Sequence, residues 1–355
     1  MIKVSRKIRK SNFQLKEDFL LNKGFKGSDI SRIRNMNNRR QKLIASAKLQ
    51  SKVLGDINCN FTAWIAGYSS EMVVRQEFGS HFVLREVIFG KFSIPKKWGN
   101  LDFSWEDKIR KLKIPEEITA ELAEETGIHI GDGNIFVNKK LGYYRVFFAG
   151  NLSNELPYYD YIQSLLKKNY NIDVKTFKYE KKNSCHIRFK SKMIVDFKNK
   201  ILDLPMGPKT QRLTIPNIIK KDNFLLSRCI RGIFDTDFYL GIYRGRPHFQ
   251  TQITAPLVIK SIKSYISKEG IDNIKIKNGM LFFGGPENAR AFFRIIGSSN
   301  PHNISKYRIW EEYGKCPYYS TCSERLDVIN GKRDFSELEK IEKERRKKRP
   351  RAGFL

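Results

Sequence analysis

The fold follows from one stretch, Glu125-Thr126-Gly127-Ile128-His129-Ile130-Gly131-Asp132-Gly133, and from its near copy, Ile230-Arg231-Gly232-Ile233-Phe234-Asp235-Thr236-Asp237-Phe238. In both segments a glycine precedes the late aspartate by five residues. The two aspartates, Asp132 and Asp237, lie 105 residues apart, which is the length of a small structural unit. This spacing predicts a duplicated unit with one carboxylate in each copy.

Hydrophobic periodicity predicts the same series of elements in both copies: helix, strand, strand, helix, strand, strand, helix. Between the copies, residues 204–216 contain three prolines and one glycine, as a domain junction does. The chain is therefore predicted to be an α+β protein with two αββαββα units after a mainly helical N-terminal region. The predicted divisions are a basic N-terminal region at 1–115, a first unit at 116–215, a second unit at 216–320 and a charged C-terminal tail at 321–355.

The individual elements are predicted from the same periodicity, with helices alternating with pairs of strands. The first copy has helices at 117–132, 154–169 and 191–201 and strands at 134–139, 143–150, 172–179 and 184–190; the second has helices at 222–236, 256–268 and 286–296 and strands at 239–244, 247–254, 272–277 and 279–284.

Gly127 and Gly232 lie inside the helices that end in the quoted segments. A glycine there costs roughly 1 kcal/mol relative to alanine, so its recurrence at matching positions calls for a reason. Close packing of the two helices, backbone against backbone, supplies that reason. Such packing would bring Asp132 and Asp237 to the same end of the helix pair.

Two close carboxylates repel each other unless a cation lies between them. A pair of oxygen ligands with room for water suits Mg²⁺, or Mn²⁺ in its place. We therefore predict that Asp132 and Asp237 are catalytic metal ligands and that Gly131 and Thr236, the residues just before them, belong to the same metal site. The alternative for each aspartate alone is an ordinary helix-terminal residue before a turn.

The charge of the chain indicates the kind of substrate. With 67 Lys and Arg against 37 Asp and Glu, the net charge is +30, which favours polyanions through release of counterions from phosphates. A generically basic or ribosome-associated protein is the competing interpretation. No apolar stretch is long enough to span a membrane, and the start, Met1 to Lys7, is not followed by the apolar core of a signal peptide. The five scattered cysteines have no zinc-binding spacing, which is typical of the reducing cytoplasm.

The two segments resemble the LAGLIDADG motif of homing endonucleases, in the single-chain form that carries two motifs. Gly127 and Gly232 match the packing glycine of the motif, and the two late aspartates match its metal-binding acid. The final glycine of the motif is present in the first copy as Gly133, whereas the second copy has Phe238. Because phenylalanine rarely adopts a positive φ, we expect the turn after the second motif to differ from the first. The resemblance covers about residues 118–320.

The resemblance implies a monomeric pseudo-dimer whose two antiparallel sheets form a saddle on double-stranded DNA, so that alternate strand residues read base edges in the major groove. It also implies that Lys190, just before the third helix of the first copy, is a catalytic residue near one scissile phosphate; the second copy has Gly284 at the corresponding place. A solvated sheet face is the alternative for each basic or amide residue on a strand. The predicted DNA-binding residues lie on or beside strands: Arg145, Lys175, Lys178, Arg188, Arg244, Arg246, Gln250 and Gln252.

The function that the resemblance implies is site-specific cleavage of both DNA strands with Mg²⁺ bound between Asp132 and Asp237, by a cytoplasmic, nucleoid-associated enzyme of a mobile intron. The alternative is a non-cleaving protein on the same fold, either a maturase that binds intron RNA or a DNA-binding regulator. An intein is less compatible with ends at Met1 and Leu355. Residues 1–115 lie outside the resemblance, and they are either an added DNA-binding unit, such as a helix-turn-helix near 28–56, or a packing extension.

Overall fold

The computed structural model of the chain describes residues 12–55, 57–90, 95–207, 213–253 and 255–348. The start of the chain, residues 208–212 of the predicted junction and the last seven residues of the tail lie outside these ranges. The chain divides into two compact units, residues 1–93 and 94–355. None of the helices in the described ranges is both long and apolar enough to cross a membrane.

The described part of the first unit is helical, as expected. One apolar core joins Leu20, Phe25, Ile30, Ile33 and Ile65, and a second is built around Leu43, Ala47 and Phe78. The helices of this unit are α1 (Asn12–Asn22), α2 (Gly27–Arg34), α3 (Arg39–Leu54), α4 (Cys59–Ile65), α5 (Met72–Phe78) and α6 (His81–Phe89).

The second unit contains all the strands of the described residues and the two motif helices. Its first half consists of α7 (Trp105–Ile109), α8 (Ala120–Asp132), β1 (Gly133–Asn138), β2 (Tyr143–Asn151), α9 (Leu152–Tyr170), β3 (Thr176–Tyr179), β4 (Ser184–Lys190) and α10 (Lys192–Lys200). Its second half consists of α11 (Asn217–Lys220), α12 (Asn223–Asp237), β5 (Phe238–Tyr243), β6 (Arg246–Thr251), α13 (Pro256–Lys268), β7 (Lys275–Lys277), β8 (Met280–Gly284), α14 (Pro286–Ile295), α15 (Pro301–Tyr313), α16 (Cys322–Ile329) and α17 (Phe335–Lys348).

The strands form two antiparallel four-stranded sheets of the same order, β1-β2-β4-β3 and β5-β6-β8-β7. The predicted order of helices and strands is confirmed in both halves. In each sheet, alternate side chains are buried against helices while their neighbours on the strand lie on an open face. We call these the open faces of sheets 1 and 2.

Three predicted strands extend three or more residues past an end of the observed strand. β3 begins at Thr176 rather than 172, β6 ends at Thr251, and β7 begins at Lys275 rather than 272. At β7 the reason is local, because Asn273 has a φ of 57°, which no extended strand accommodates. Residue 254, the predicted end of β6, lies outside the described residues.

A fully buried ion pair ties α8 to α10. The Nζ of Lys198 lies 2.7 Å from the Glu125 carboxylate, both side chains are completely buried, and the Tyr170 hydroxyl donates to the same carboxylate at 3.0 Å. Burial lowers the pKa of Lys198, with the carboxylate opposing that shift. Because removing one partner would leave an uncompensated buried charge, we expect the loss of either side chain to destabilise the packing of the first motif helix.

Candidate metal and nucleic-acid site

The two motif helices pack against each other through their glycines. A Cβ placed on Gly127 would overlap the Cys229 carbonyl oxygen and lie 3.1 Å from the Cα of Gly232. A Cβ placed on Gly232 would lie 2.6 Å from the Ile128 nitrogen and 3.0 Å from the Gly127 carbonyl carbon. All of these neighbours are backbone atoms, which cannot rotate away. Any side chain at either position would therefore force α8 and α12 apart.

The helix pair brings the end of the second motif against the end of the first. An ideal Cβ on Gly131 would overlap the Thr236 hydroxyl and lie 3.5 Å from the Asp237 carboxyl carbon. Asp132 follows Gly131 directly and ends α8, just as Asp237 ends α12. The structure thus places Gly131, Thr236 and Asp237 together, one residue from Asp132.

Both motifs end in the same backbone conformation, contrary to the expected difference between the two turns. Gly133 has φ −79° and ψ 154°, and Phe238 has φ −113° and ψ 145°, so neither position needs a positive φ. The expectation was wrong because the chain passes straight from each helix into a strand. Glycine is required at 133 for a different reason: a Cβ there would meet the His129 ring.

The residues at this end of the helix pair fit a hard divalent cation. The two late aspartates offer carboxylate oxygens, and the missing side chain of Gly131 lets Thr236 lie against α8 beside the Asp237 carboxyl group. Within the described ranges, no group of three or more His, Cys, Asp and Glu side chains could hold a metal ion. Two carboxylates fit Mg²⁺ or Mn²⁺ in the manner of sites that complete their coordination with water and substrate phosphate.

Glu155, on α9, is an acidic residue beside this site that periodicity alone does not identify. Its Oε2 accepts a hydrogen bond of 2.6 Å from the Asn151 backbone N–H. Burial raises the pKa of Glu155, and the nearby charge of Asp237 raises it further. The position of Glu155 three residues into a helix resembles a common helix-start acid in sequence, so only the fold shows that it faces the second motif.

Asp235 is the second carboxylate that sequence reasoning did not single out. It is buried and accepts hydrogen bonds from the Ser298 hydroxyl, the Ser299 backbone N–H at 2.7 Å and the Asn303 amide at 3.3 Å. Burial raises the pKa of Asp235 to about 7, although these donors oppose the shift. The cradle fastens the last turn of α12, and therefore Asp237, to the loop before α15.

A polar cavity of about 140 Å³ lies next to this last turn. Burial lowers the pKa of Lys306, which lines the cavity, to about 8, and its Nζ donates to the Leu240 carbonyl oxygen at 3.1 Å. The backbone N–H of Gln252 donates to the Asp237 carbonyl oxygen at 2.6 Å. The cavity is lined by Glu155, Asp235, Thr236, Phe238, Tyr239, Leu240, Gln252, Asn300, His302, Asn303 and Lys306.

Three predicted DNA-binding or catalytic side chains share the open face of sheet 1. Arg145 pairs with Lys190 across β2 and β4, and Arg188 pairs with Phe147 one step along the same face. Aromatic rings contact all three cations. Arg145 lies 5.2 Å from the centre of the Phe136 ring, Arg188 lies 4.6 Å from the centre of the Phe177 ring, and the Lys190 Nζ lies 4.6 Å from the centre of the Tyr143 ring. These contacts keep the long side chains on the open face.

Two other residues predicted for sheet 1 are placed differently. Lys178 is exposed but pairs with Cys185, whose side chain is buried, so it belongs to the helix-covered face. Lys175 is exposed in the loop immediately before β3. Strand alternation could have separated Lys178 from Arg188 only if the register of β3 on β4 had been known.

On sheet 2, Arg246 and Gln250 lie on the open face. Arg244 is in the turn between β5 and β6 with a φ of 51°, and Gln252 lies just past the end of β6. The structure adds two exposed cations, Lys275 and Lys277, at the edge strand β7. The alternation Lys-Ile-Lys was the signal for them, since it puts both lysines on one face.

No counterpart of Lys190 fits at the matching place on sheet 2. Gly284 pairs with His248, and a Cβ at this glycine would lie 2.7 Å from the Pro247 carbonyl oxygen. A lysine side chain there would collide with backbone. The difference between the two halves is therefore imposed by the packing of β6 on β8.

Comparisons with known proteins return structures but no sequence family. No family model and no curated protein matches the chain. Among solved structures, the homing endonuclease I-DmoI in complex with DNA and Mn matches with a TM-score of 0.38 and 16% identity over 52% of this chain and 99% of that one. A double mutant of I-SmaMI matches with a TM-score of 0.37 and 13% identity over 62% of this chain and 97% of that one. At these values the function has to be inferred from the chain's own residues.

Proposed function

We propose that this protein is a metal-dependent endonuclease that binds double-stranded DNA along the open faces of both sheets and hydrolyses one phosphodiester in each strand. The cleavage site lies at the paired ends of α8 and α12, where Asp132 and Asp237 hold Mg²⁺ or Mn²⁺ beside Gly131 and Thr236. The repeated halves, 116–215 and 216–320, each serve one half of the DNA site.

The observation that carries the proposal is the charge of the sheets. None of the eight strands in the described residues contains Asp or Glu, while seven Lys and Arg residues lie on them. The chain has 37 acidic residues in 355, so 46 strand residues of average composition would contain about five. Surfaces that lack carboxylates and present cations and aromatic rings suit double-stranded DNA, a polyanion whose base edges are exposed in the major groove.

Acidic groups occur instead where the strands begin, at the ends of the motif helices. Asp132 and Asp237 would hold a divalent cation there, and it would supply a lowered pKa for a coordinated water and charge stabilisation for the leaving oxygen of a phosphodiester. Asp132 and Asp237 orient that cation, and the glycine contact holds their helices in register. The Asp235 cradle keeps the second aspartate in place.

Lys190, on the open face of sheet 1, is the side chain that we expect to approach the scissile phosphate of one strand. It ends β4, and its backbone carbonyl oxygen accepts a 3.0 Å hydrogen bond from Arg110, which steadies the strand end. An ammonium beside a phosphate stabilises charge that develops in the transition state. The sterically enforced glycine at 284 makes the two half-sites unequal.

The test is Asp132→Asn, with DNA affinity and cleavage measured on the same target obtained by cleavage-site selection. We expect cleavage to fall by about 10³-fold or more, because several kcal/mol of metal-borne charge stabilisation is lost, with affinity unchanged within about threefold. Wild-type protein that binds duplex DNA but never cuts it with Mg²⁺ or Mn²⁺ would instead identify a non-cleaving regulator or a maturase, the latter if intron RNA binds more tightly. The mobile intron and the place of action at the nucleoid are part of the same proposal, and a reading frame located inside an intron would support the first.

A further inference from the structure

We propose that α3 of the N-terminal unit is a second binding surface for duplex DNA. This helix enters the major groove and extends the contact beyond the two sheets. This inference rests on the proposed function only for the identity of the duplex. It assigns a role to a helix of the N-terminal unit, which lies outside the LAGLIDADG resemblance.

The charged residues of α3 are all positive. The helix has five Lys and Arg residues and no Asp or Glu over 16 residues. The whole N-terminal segment, residues 1–93, has 18 Lys and Arg against 7 Asp and Glu, a net charge of +11. A helix with this excess attracts phosphates, whereas an ordinary solvated helix mixes both signs of charge.

Burial separates α3 into two faces. Leu43, Ala47 and Gln50 are buried, and together with Ser46 they form the side that packs on α4 and α6. Gln41, Lys48 and Lys52 are exposed at spacings of seven and four residues, which puts them on one stripe of the helix. The stripe extends over about 16 Å at 1.5 Å per residue, more than the roughly 12 Å width of a major groove.

The first turn of α3 is held in a fixed orientation. The Arg39 guanidinium pairs with Glu77 at 2.9 Å, and Arg40 donates to the Glu77 carbonyl oxygen and lies 4.3 Å from the centre of the Phe78 ring. Among the described residues, by contrast, neither Lys48 nor Lys52 has an ion-pair partner. The arginines at the start of α3 are thus held by neighbouring residues, whereas the two lysines farther along the helix are available to contact phosphate.

The connection to the preceding helix has the length of the turn in a helix-turn-helix. α2 ends at Arg34 and α3 begins at Arg39, so four residues join them, and the Asn38 side chain caps α3 by accepting from the Gln41 N–H at 2.9 Å. Ile30 and Ile33 of α2 share an apolar core with Ala45 and Leu49 of α3. In DNA-binding units of this kind the second helix enters the major groove.

The experiment compares the full-length double variant Lys48→Gln/Lys52→Gln with the wild type in equilibrium binding to the selected DNA target at several salt concentrations. Losing two phosphate contacts should lower the slope of log affinity against log salt by about 1.8, which corresponds to about 60-fold weaker binding at 0.1 M salt. The protected region in a nuclease footprint should shorten at one end. The cleavage rate of DNA saturated with protein should not change.

The matched control is Lys260→Gln/Lys263→Gln, which removes the same charge from exposed positions of α13, on the covered side of sheet 2. Equal losses of affinity in both double variants, or an unchanged salt slope and footprint in the α3 variant, would overturn the assignment; so would an α3 variant that loses binding to RNA but not to duplex DNA. Because the readout is binding, failure here is distinct from failure of Asp132→Asn to abolish cleavage.

Discussion

Gly232→Ala is the most direct test of how the fold builds the site, because the whole arrangement depends on two helices that meet at backbone distance. The new Cβ would lie 2.6 Å from the Ile128 nitrogen, 3.0 Å from the Gly127 carbonyl carbon and closer still to the Glu124 carbonyl oxygen. An unstrained contact of about 3.5 Å requires α8 and α12 to separate by roughly 1 Å.

Two effects of opposite sign act on stability. Alanine in a helix interior gains about 1 kcal/mol over glycine, whereas overpacking a close contact costs about 1–3 kcal/mol or more. The contacts here are backbone atoms on two central helices, so we expect the upper end of the cost and a net loss of about 2 kcal/mol. For a unit of this size that lowers the Tm by about 4–8 °C.

The effect on catalysis should exceed the effect on stability. A shift of about 1 Å at the helix ends displaces Asp132 relative to Asp237, and misplacements of that size cost about 10²-fold in rate. Single-turnover cleavage should therefore fall by about 10²-fold at a temperature where the variant is fully folded, while DNA affinity stays within a few-fold.

The control is Gly27→Ala at the start of α2, where a Cβ would lie 3.9 Å from a Leu21 methyl group in ordinary contact. That variant should match the wild type in both assays. A Gly232→Ala protein with wild-type Tm and wild-type cleavage would refute the claim that glycine contact sets the geometry of the site.

The remaining predictions concern charge. Lys190→Ala should slow cleavage of one strand by about 10²-fold, so that nicked DNA accumulates, whereas Lys192→Ala should not; strand-specific end labels report both rates, and equal slowing of the two strands would contradict the assignment. The pKa of Asp235 is raised to about 7 in the folded protein, so the folded state binds the extra proton and its stability falls as pH rises from about 4 to 7. Between about pH 4 and pH 7, the free energy of unfolding of Asp235→Asn, measured by chemical denaturation, should therefore rise relative to that of the wild type by up to about 4 kcal/mol. Parallel pH curves for the two proteins would show that the pKa of Asp235 is not raised. DNA affinity should fall steeply with salt, and a titration with a slope near zero would remove nucleic acid as the partner.

Much of the secondary structure was predictable because it is local. Apolar periodicity and helix-starting residues such as Ser191, whose hydroxyl accepts from the Ile194 N–H, mark the elements without knowledge of the rest of the fold. The errors lie at strand ends such as the start of β7, where one asparagine with a positive φ stops the strand. Strand length depends on which partner offers hydrogen bonds, and a single sequence does not reveal the partner.

The repeated glycines of the two motifs were sufficient to predict which helices pack against each other, because a missing side chain lets two backbones approach closely. The role of Asp132 and Asp237 as metal ligands stays a prediction. The aromatic contacts of Arg145, Arg188 and Lys190 required the register of β4 on β2. The register of β3 on β4 separates Lys178 from those cations, since Lys178 pairs with buried Cys185. A shift of one residue would exchange the two faces.

Sequence alone determined the charge of the chain, the duplication with its two aspartates, and the order of the helices and strands, because each of these depends only on residue type and spacing. Only the tertiary structure decided that Glu155 and Asp235 gather beside Asp237, that a lysine cannot replace Gly284, and that α3 turns Lys48 and Lys52 outward. These depend on contacts between residues far apart in the chain. Such contacts depend on how whole helices and sheets pack against each other, and a local sequence pattern does not predict that packing.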